Sequence, residues 1–150
     1  MKNYLVYIII FIVICLLLGL AFVLYIRKRK SFSGDYDLME GREFEFFCAD
    51  LLQKRGFLEV EVTKGSGDYG VDILAEKDGI TYAIQCKRYE EPIGVKAVQE
   101  VYAGKDYYDR MVGVVMSNQY FTKAAVDMAG KLKIMLWDRG YLESMMEEEE

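Results

Sequence analysis

The hydrophobic and polar positions divide the chain at about residue 30. Residues 5–26, LVYIIIFIVICLLLGLAFVLYI, contain neither a charge nor a proline, and the basic run RKRK follows at 27–30. As a helix this segment would rise about 33 Å, close to the roughly 30 Å hydrocarbon core of a bilayer. A cleaved signal peptide has a shorter apolar region and a cleavage site of small residues. The pattern therefore predicts a single-pass anchor in residues 1–30, in the cell (inner) membrane, and the positive-inside rule places the remainder in the cytoplasm.

Beyond a polar linker at 31–38, the spacing of apolar residues predicts a helix and then three strands. Five apolar side chains repeat at helical spacing: Phe44, Phe47, Cys48, Leu51 and Leu52. Gly56 is typical of a helix end. Alternating runs at 57–63, 71–76 and 80–88 predict strands, the last two joined by a tight turn at Asp78-Gly79.

The second half alternates between helical and strand patterns. A helix is predicted from 95 to about 108, and the unbroken apolar run at 111–117 predicts a strand covered on both faces. A helical stripe at 121–132, a short strand at 134–137 and a helix at 139–146 follow. The order αβββαβαβα predicts an α/β domain with a mixed sheet and helices on both faces.

Composition narrows the chemistry. The chain has no histidine, which excludes catalytic triads and zinc sites that depend on it. Cys48 and Cys86 lie far apart in apolar runs and Cys15 lies in the apolar span, so we expect reduced thiols and neither disulfides nor structural zinc. All 24 acidic residues and 14 of the 19 basic residues lie beyond residue 30, which gives that part of the chain a net charge of about −10. A nucleic-acid binder usually has a basic surface, so any such surface here must be local.

Three polar residues interrupt the apolar strands of the predicted hairpin. Gln85 and Lys87 share one face because side chains two apart on a strand point the same way, and Asp72 starts the partner strand. The turn at 77–79 brings Asp72 level with the end of the second strand. A carboxylate and an amide oxygen suit Mg²⁺, and a nearby ammonium suits the charge on a phosphoryl group under attack. For each residue alone, a capped turn or a strand end remains the alternative.

Five segments resemble the Mrr-type restriction endonuclease domain of the PD-(D/E)xK nuclease superfamily, in its QxK variant. They are GREFEFFCADLLQKRGF, GDYGVDILAE, AIQCKRY, VKAVQEVYAG and VVMSNQYFTKAAVDMA. The resemblance extends over residues 39–142 and leaves an acidic tail at 143–150. The resemblance implies a restriction-endonuclease-like fold and a DNA endonuclease that uses Mg²⁺ or Mn²⁺. Val71 replaces the proline of the superfamily motif, and Gln85 replaces its second acid, which removes one negative charge.

The resemblance also implies roles for individual residues. Asp72 and the Gln85 oxygen would bind the metal with the Cys86 main-chain carbonyl, and Lys87 would be the motif lysine. The helical acid would be Glu45, a further metal ligand. At about 100° per residue Glu45 lies about 20° from Leu52 on the rim of the apolar stripe, whereas Glu43 falls on the exposed side. Lysine is normally protonated at neutral pH, so we expect Lys87 to act as a cation and not as a general base.

Six residues near this hairpin are the predicted DNA contacts, each with a structural alternative. They are Gly67, Asp68, Arg88, Gln99, Asn118 and Lys123. Turn formation would explain Gly67 and Asp68, a position at a strand end would explain Arg88, and helix capping would explain Asn118. Gln99, its neighbour Glu100 and Lys123 would lie on exposed helix faces. Gly65, Gly67 and Gly70 spell a dinucleotide fingerprint, but they precede a strand and not a helix, so we interpret them as a turn.

Two further functions remain open from the sequence. The acidic composition and Gln85 fit a membrane-tethered DNA-binding module with little or no activity, and a junction or repair nuclease would share the same chemistry. Double-strand cleavage would favour a homodimer, which no residue in the sequence establishes.

Overall fold

The computed structural model describes residues 4, 7, 11–20, 35–65 and 67–147. The chain divides into two units, Met1–Gly34 and Asp35–Glu150. In the first unit, residues 11–20 are helical. Within the described residues, no helix has both the length and the apolar character needed to span a bilayer. Much of the predicted anchor at 5–26 lies outside the described residues, as do 31–34 and 148–150, so the anchor stays a prediction.

In the second unit, the described residues form four helices and five strands. The helices are α1 (Gly41–Lys54), α2 (Val95–Tyr107), α3 (Lys123–Leu132) and α4 (Arg139–Glu147). The strands are β1 (Leu58–Val62), β2 (Ile73–Lys77), β3 (Ile80–Lys87), β4 (Val112–Ser117) and β5 (Met135–Trp137). A single 3-10 turn, Asp35–Asp37, precedes α1. The predicted order αβββαβαβα is confirmed.

The strands form one mixed sheet in the order β1-β2-β3-β4-β5. The first three are antiparallel, and β4 and β5 run parallel to β3. Asp78 and Gly79 both have positive φ, 54° and 79°, which matches the twist of a two-residue hairpin turn between β2 and β3. In this hairpin Ile73 pairs with Ile84, which sets the register of the polar residues.

Helices cover both faces of the sheet, as the sequence predicts. The side chains of β4 alternate between two cores: Val114 and Met116 pack towards α1 and α4, whereas Val115 packs towards α2 and α3. All three are fully buried. Each such aliphatic side chain contributes about 1.5–3 kcal/mol by leaving water. The core on the α1 side also contains Ile84 of β3, so Gln85 beside it projects to the opposite face, towards α2.

Candidate active site

The main chain of Asp72 is held between two strands. Its N–H donates to the Ile84 oxygen at 2.8 Å, and its own carbonyl accepts from the Thr63 N–H at 2.9 Å. The sequence pattern predicts Asp72 at the start of β2, but β2 begins at Ile73. Asp72 nevertheless continues the hydrogen-bond ladder, so its position is as fixed as that of a strand residue. Its side chain reaches β3, where Oδ2 accepts from the Cys86 N–H at 2.7 Å.

The Asp72 carboxyl lies in an environment that disfavours its charge. Burial raises the pKa of Asp72 to about 6, the Cys86 N–H opposes this rise, and the charges of Glu45 and Asp68 add to it. Lys87 lowers the pKa, but its effect is the smallest of these. A carboxylate surrounded by other carboxylates and poor in solvent favours a bound cation.

Gln85 and Lys87 project from the same face of β3, and both contact Glu100 on α2. Gln85 Nε2 donates to Glu100 Oε2 at 2.8 Å, and Lys87 Nζ lies 3.1 Å from the same oxygen. Gln85 is only 3% exposed. Its other polar atom, Oε1, is buried and has no hydrogen-bond partner among the described residues. Most buried side-chain acceptors have a partner, and a water or a cation at Oε1 would supply one.

Glu100 is the site residue that the sequence pattern does not reveal. The sequence favours an exposed helix face for it, because the amide that it contacts lies 15 residues away on β3. Burial raises its pKa, but the hydrogen bonds from Gln85 and Lys87 outweigh burial and hold the pKa below its ordinary value. Lys96 approaches the second oxygen of Glu100 at 3.7 Å. A cavity of about 100 Å³ beside Glu100 is lined by Lys87, Tyr89 and Lys96, among others.

Glu45 lies on the partly buried rim of α1, and Glu43 is exposed, as the helical periodicity predicts. Glu43 caps the helix, because its carboxylate accepts from the Glu40 N–H at 2.9 Å. Glu45 is paired with Arg42 at 2.6 Å. The Glu45 carboxylate is close enough to Asp72 to raise the Asp72 pKa, but a contact with a shared cation would compete with Arg42.

The glycine-rich segment before Asp72 is a turn packed on α2. Asp68 Oδ1 accepts from the Gly70 N–H at 3.0 Å, and Gly67 is exposed with φ 73°. Gly70 has φ 78°, and a Cβ there would lie 2.8 Å from the Glu100 Cβ. Only glycine allows this approach, so the turn that carries Asp68 towards Asp72 is held against Glu100.

The remaining predicted DNA contacts are placed differently from one another. Gln99 is exposed on the second turn of α2, and Lys123 is exposed at the start of α3. Arg88 is partly buried, and its Nε has no hydrogen-bond partner within the described residues. Asn118 is only 2% exposed, and its amide contacts Asp37 and Tyr89. A DNA contact from Asn118 would require this network to open, so the structure favours the structural alternative there.

Acidic side chains supply only some of the oxygen ligands that a hard divalent cation would need at this site. Across the described residues, no group of three or more His, Cys, Asp or Glu side chains is arranged to hold a metal. Amide oxygens also bind hard cations, and here the second oxygen is Gln85 Oε1. Mg²⁺ takes oxygen ligands and needs only one or two carboxylates, because waters and substrate oxygens complete its shell. The buried, unpaired Oε1 and the raised Asp72 pKa therefore fit a cation between β2 and β3.

Comparison with known families decides the identity of the domain. A family model of the Mrr catalytic domain, described as restriction endonuclease, matches residues 36–146. The chain belongs to the Mrr-type restriction endonuclease family. This Mrr-type domain therefore belongs to a family of restriction endonucleases. No curated protein matches the chain.

Solved structures share the fold of the Mrr-type domain. A protein of unknown function, AF1548, is 25% identical with a TM-score of 0.62, and the alignment covers 73% of this chain and 66% of that one. The DNA modification-dependent restriction endonuclease AspBHI is 16% identical with a TM-score of 0.51, covering 69% and 30%. The restriction endonuclease MspJI, solved with a 27-mer oligonucleotide, is 17% identical with a TM-score of 0.55, covering 77% and 30%. The chain thus spans just under two thirds of the first and less than a third of the other two, and shares with them a restriction-endonuclease-like fold.

Proposed function

We propose that this chain is a metal-dependent DNA endonuclease of the restriction type that hydrolyses phosphodiester bonds. The observation that carries the proposal is the geometry at the end of the β2–β3 hairpin. There the Asp72 carboxylate, the unpaired Gln85 oxygen and the Lys87 ammonium belong to adjoining positions of two paired strands. This combination of two oxygen donors and a cation has no structural need in a hydrophobic sheet, and it suits a metal and a phosphate.

Each of these residues would have a distinct role in metal binding or in catalysis. Asp72 and Gln85 Oε1 would hold Mg²⁺ or Mn²⁺, with the Cys86 carbonyl and Glu45 as further ligands. A metal bound there supplies Lewis-acid polarisation of the phosphate and acidifies a bound water. Lys87 is held by Glu100 at 3.1 Å, so its ammonium is positioned to stabilise charge that develops on the phosphoryl oxygens.

The substrate is proposed to be DNA. The Mrr-type family supports this, as does the oligonucleotide in the MspJI structure. The cavity next to the site is lined by Lys87, Lys96 and Glu100, so its charged side chains sum to one positive charge although the chain as a whole is acidic. Gly67, Asp68, Arg88, Gln99 and Lys123 are the proposed positions along the DNA path.

Plasmid nicking tests the proposal directly. The full-length chain would be incubated with plain and methylated plasmid in Mg²⁺, Mn²⁺ or EDTA, beside Asp72→Ala and Lys87→Ala. We expect metal-dependent nicking by the wild type and a loss of about 100-fold or more in each variant. Asp50→Asn, on the exposed side of α1, is the control that should keep full activity.

A DNA-binding module without activity is the second candidate. It is favoured by the acidic composition and by Gln85, which removes one negative charge from the metal ligands. If the wild type cuts no DNA in either metal while it and Lys87→Ala bind DNA equally, this candidate replaces the nuclease. Cutting of branched but not of linear duplexes would instead indicate a junction or repair nuclease.

We further propose that residues 5–26 anchor the domain at the cytoplasmic face of the inner membrane. The apolar sequence without charges and the basic run at 27–30 support this. Cell fractionation, with a variant lacking residues 5–26, tests it: the full chain should sediment with membranes and resist extraction by high salt. A homodimer is proposed for double-strand cleavage, and sedimentation velocity with and without DNA would detect it.

A further inference from the structure

We infer that Glu100 is a positioning residue that fixes the orientation of the Gln85 amide and thereby leaves Gln85 Oε1 free for the metal. This inference rests on the proposed function, because it assigns a role at the same site. It concerns a residue on α2 that neither the hairpin motif nor the resemblance to the family points to.

The chemistry of the contact between Gln85 and Glu100 decides which end of the amide faces the acid. An ionised carboxylate can only accept hydrogen bonds, whereas a carboxamide has one donor end and one acceptor end. At 2.8 Å from Glu100 Oε2, the Gln85 side chain must therefore present its NH₂ group. The Oε1 atom is then turned away from Glu100, and it is the buried atom without a partner among the described residues.

Glu100 is itself held in place from two sides. Lys87 Nζ lies 3.1 Å from the same Oε2, and Lys96 lies 3.7 Å from Oε1. On the main-chain side, a Cβ at Gly70 would lie 2.8 Å from the Glu100 Cβ and 3.0 Å from its carbonyl carbon. The side chain is thus held by two lysines and the helix by the turn that leads to Asp72. Glu100 links the three elements that carry the site.

The orientation of the Gln85 amide has a consequence for metal binding. A flipped amide would turn two N–H groups towards the cation and would remove an oxygen ligand. Partners outside the metal shell that orient a ligand are typically worth about 10–100-fold in metal affinity. Glu100→Gln keeps the shape of the side chain but lets residue 100 either donate or accept, so it no longer dictates which end of the Gln85 amide faces it.

The experiment compares four full-length proteins: the wild type, Glu100→Gln, the double variant Gln85→Glu/Glu100→Gln, and Asp106→Asn. Asp106→Asn is the matched control, because it makes the same charge change on α2 at a residue that pairs with Lys105. The dissociation constant for Mn²⁺ is measured by electron paramagnetic resonance. In the metal-free proteins, exchange of the Gln85 side-chain NH₂ with water is measured by ¹⁵N NMR.

We expect Glu100→Gln to weaken Mn²⁺ binding by about 10-fold and to accelerate exchange of the Gln85 NH₂ protons. Asp106→Asn should match the wild type in both measurements. In the double variant the donor and acceptor roles are exchanged: the new amide on α2 can donate to the new carboxylate on β3, whose other oxygen faces the metal. Its Mn²⁺ affinity should return to the wild-type value or exceed it, because a carboxylate at residue 85 presents an oxygen to the metal in either orientation and no longer depends on residue 100.

Equal Mn²⁺ affinities and equal NH₂ exchange rates for the wild type and Glu100→Gln would overturn the inference. Failure of the proposed function would look different: the wild type itself would neither bind Mn²⁺ nor nick plasmid. In that case accelerated exchange in Glu100→Gln would show only that Glu100 orients the amide, and the role towards a metal would be refuted.

Discussion

The Asp72→Asn substitution keeps the size of the side chain and its acceptor for the Cys86 N–H but removes its charge. In the folded protein, burial and the charges of Glu45 and Asp68 raise the Asp72 pKa from an ordinary value of 3.8 to about 6, against the opposing hydrogen bond from Cys86. The ionised form is thus disfavoured by folding. Asp72 is mostly buried, so solvent screening reduces this effect little.

The size and sign of the effect follow from proton linkage. A group whose pKa rises on folding stabilises the protein below its unfolded pKa, and that contribution is lost as the pH rises through the folded value. Between about pH 4 and pH 7, the free energy of unfolding of the wild type should therefore fall by about 3 kcal/mol relative to a variant with a neutral side chain at residue 72. The slope is about 1.4 kcal/mol per pH unit. Asp72→Asn should be more stable than the wild type by up to this amount at pH 8 and nearly equal to it at pH 4.

Thermal unfolding of the metal-free full-length chain at pH 4, 6 and 8 measures this difference. For a domain of this size, about 3 kcal/mol corresponds to a rise in Tm of roughly 10 °C at pH 8. Asp50→Asn, at an exposed position on α1, should change stability by less than about 0.5 kcal/mol at each pH. A stability difference for Asp72→Asn that is absent at pH 8, or that is the same at pH 4 and pH 8, would refute the reasoning.

Four further outcomes are expected. Mn²⁺ affinity should fall about tenfold per pH unit below about pH 6, because protons compete for the Asp72 carboxylate; a pH-independent constant would contradict its role as a ligand. Gly104→Ala should destabilise the domain by about 1–3 kcal/mol in urea unfolding, because a Cβ there would lie 2.5 Å from a main-chain oxygen of the turn that precedes Asp72. In the same assay Gly130→Ala should stabilise the domain by about 0.5–1 kcal/mol, because a Cβ there would have no described atom within 4 Å. Arg139→Ala should cost about 2 kcal/mol by removing two hydrogen bonds to Asp37. Thr122→Ala should cost about 1 kcal/mol, because its hydroxyl caps α3; a neutral result in the same assay would contradict either prediction.

Local signals explain why much of the fold was predictable. Helix α1 follows from the spacing of Phe44, Cys48 and Leu52, all fully buried, and the hairpin turn follows from Asp78-Gly79 with positive φ at both positions. The register of that hairpin then places Gln85 and Lys87 on one face, which depends only on the alternation of a strand. Cys48 and Cys86 are both buried, as their apolar runs predict, but they are far apart only in the sequence. In the core the two thiols contact each other, and this contact together with burial raises the pKa of the Cys86 thiol.

Contacts between distant elements could not be predicted from these patterns. Asn118 sits at a strand end where a helix cap or a DNA contact was expected, but Asp37, 81 residues earlier, accepts from its amide. Gly104 looks like an ordinary helix residue in the sequence, yet it makes room for the Tyr69 carbonyl and the Val71 side chain. Both arrangements depend on where helices and turns cross the sheet, and periodicity carries no information about crossing points.

The sequence by itself determined the elements, their order and the strand positions of Gln85 and Lys87, because each depends on residues a few positions apart. Only the tertiary structure placed α2 so that Glu100 meets Gln85 and Lys87, and only burial within the packed layers raised the pKa of Asp72 to about 6. Both depend on the packing of α1 and α2 against opposite faces of the sheet. Such packing is decided by the sum of many side-chain contacts over the whole domain, and no short stretch of sequence records it.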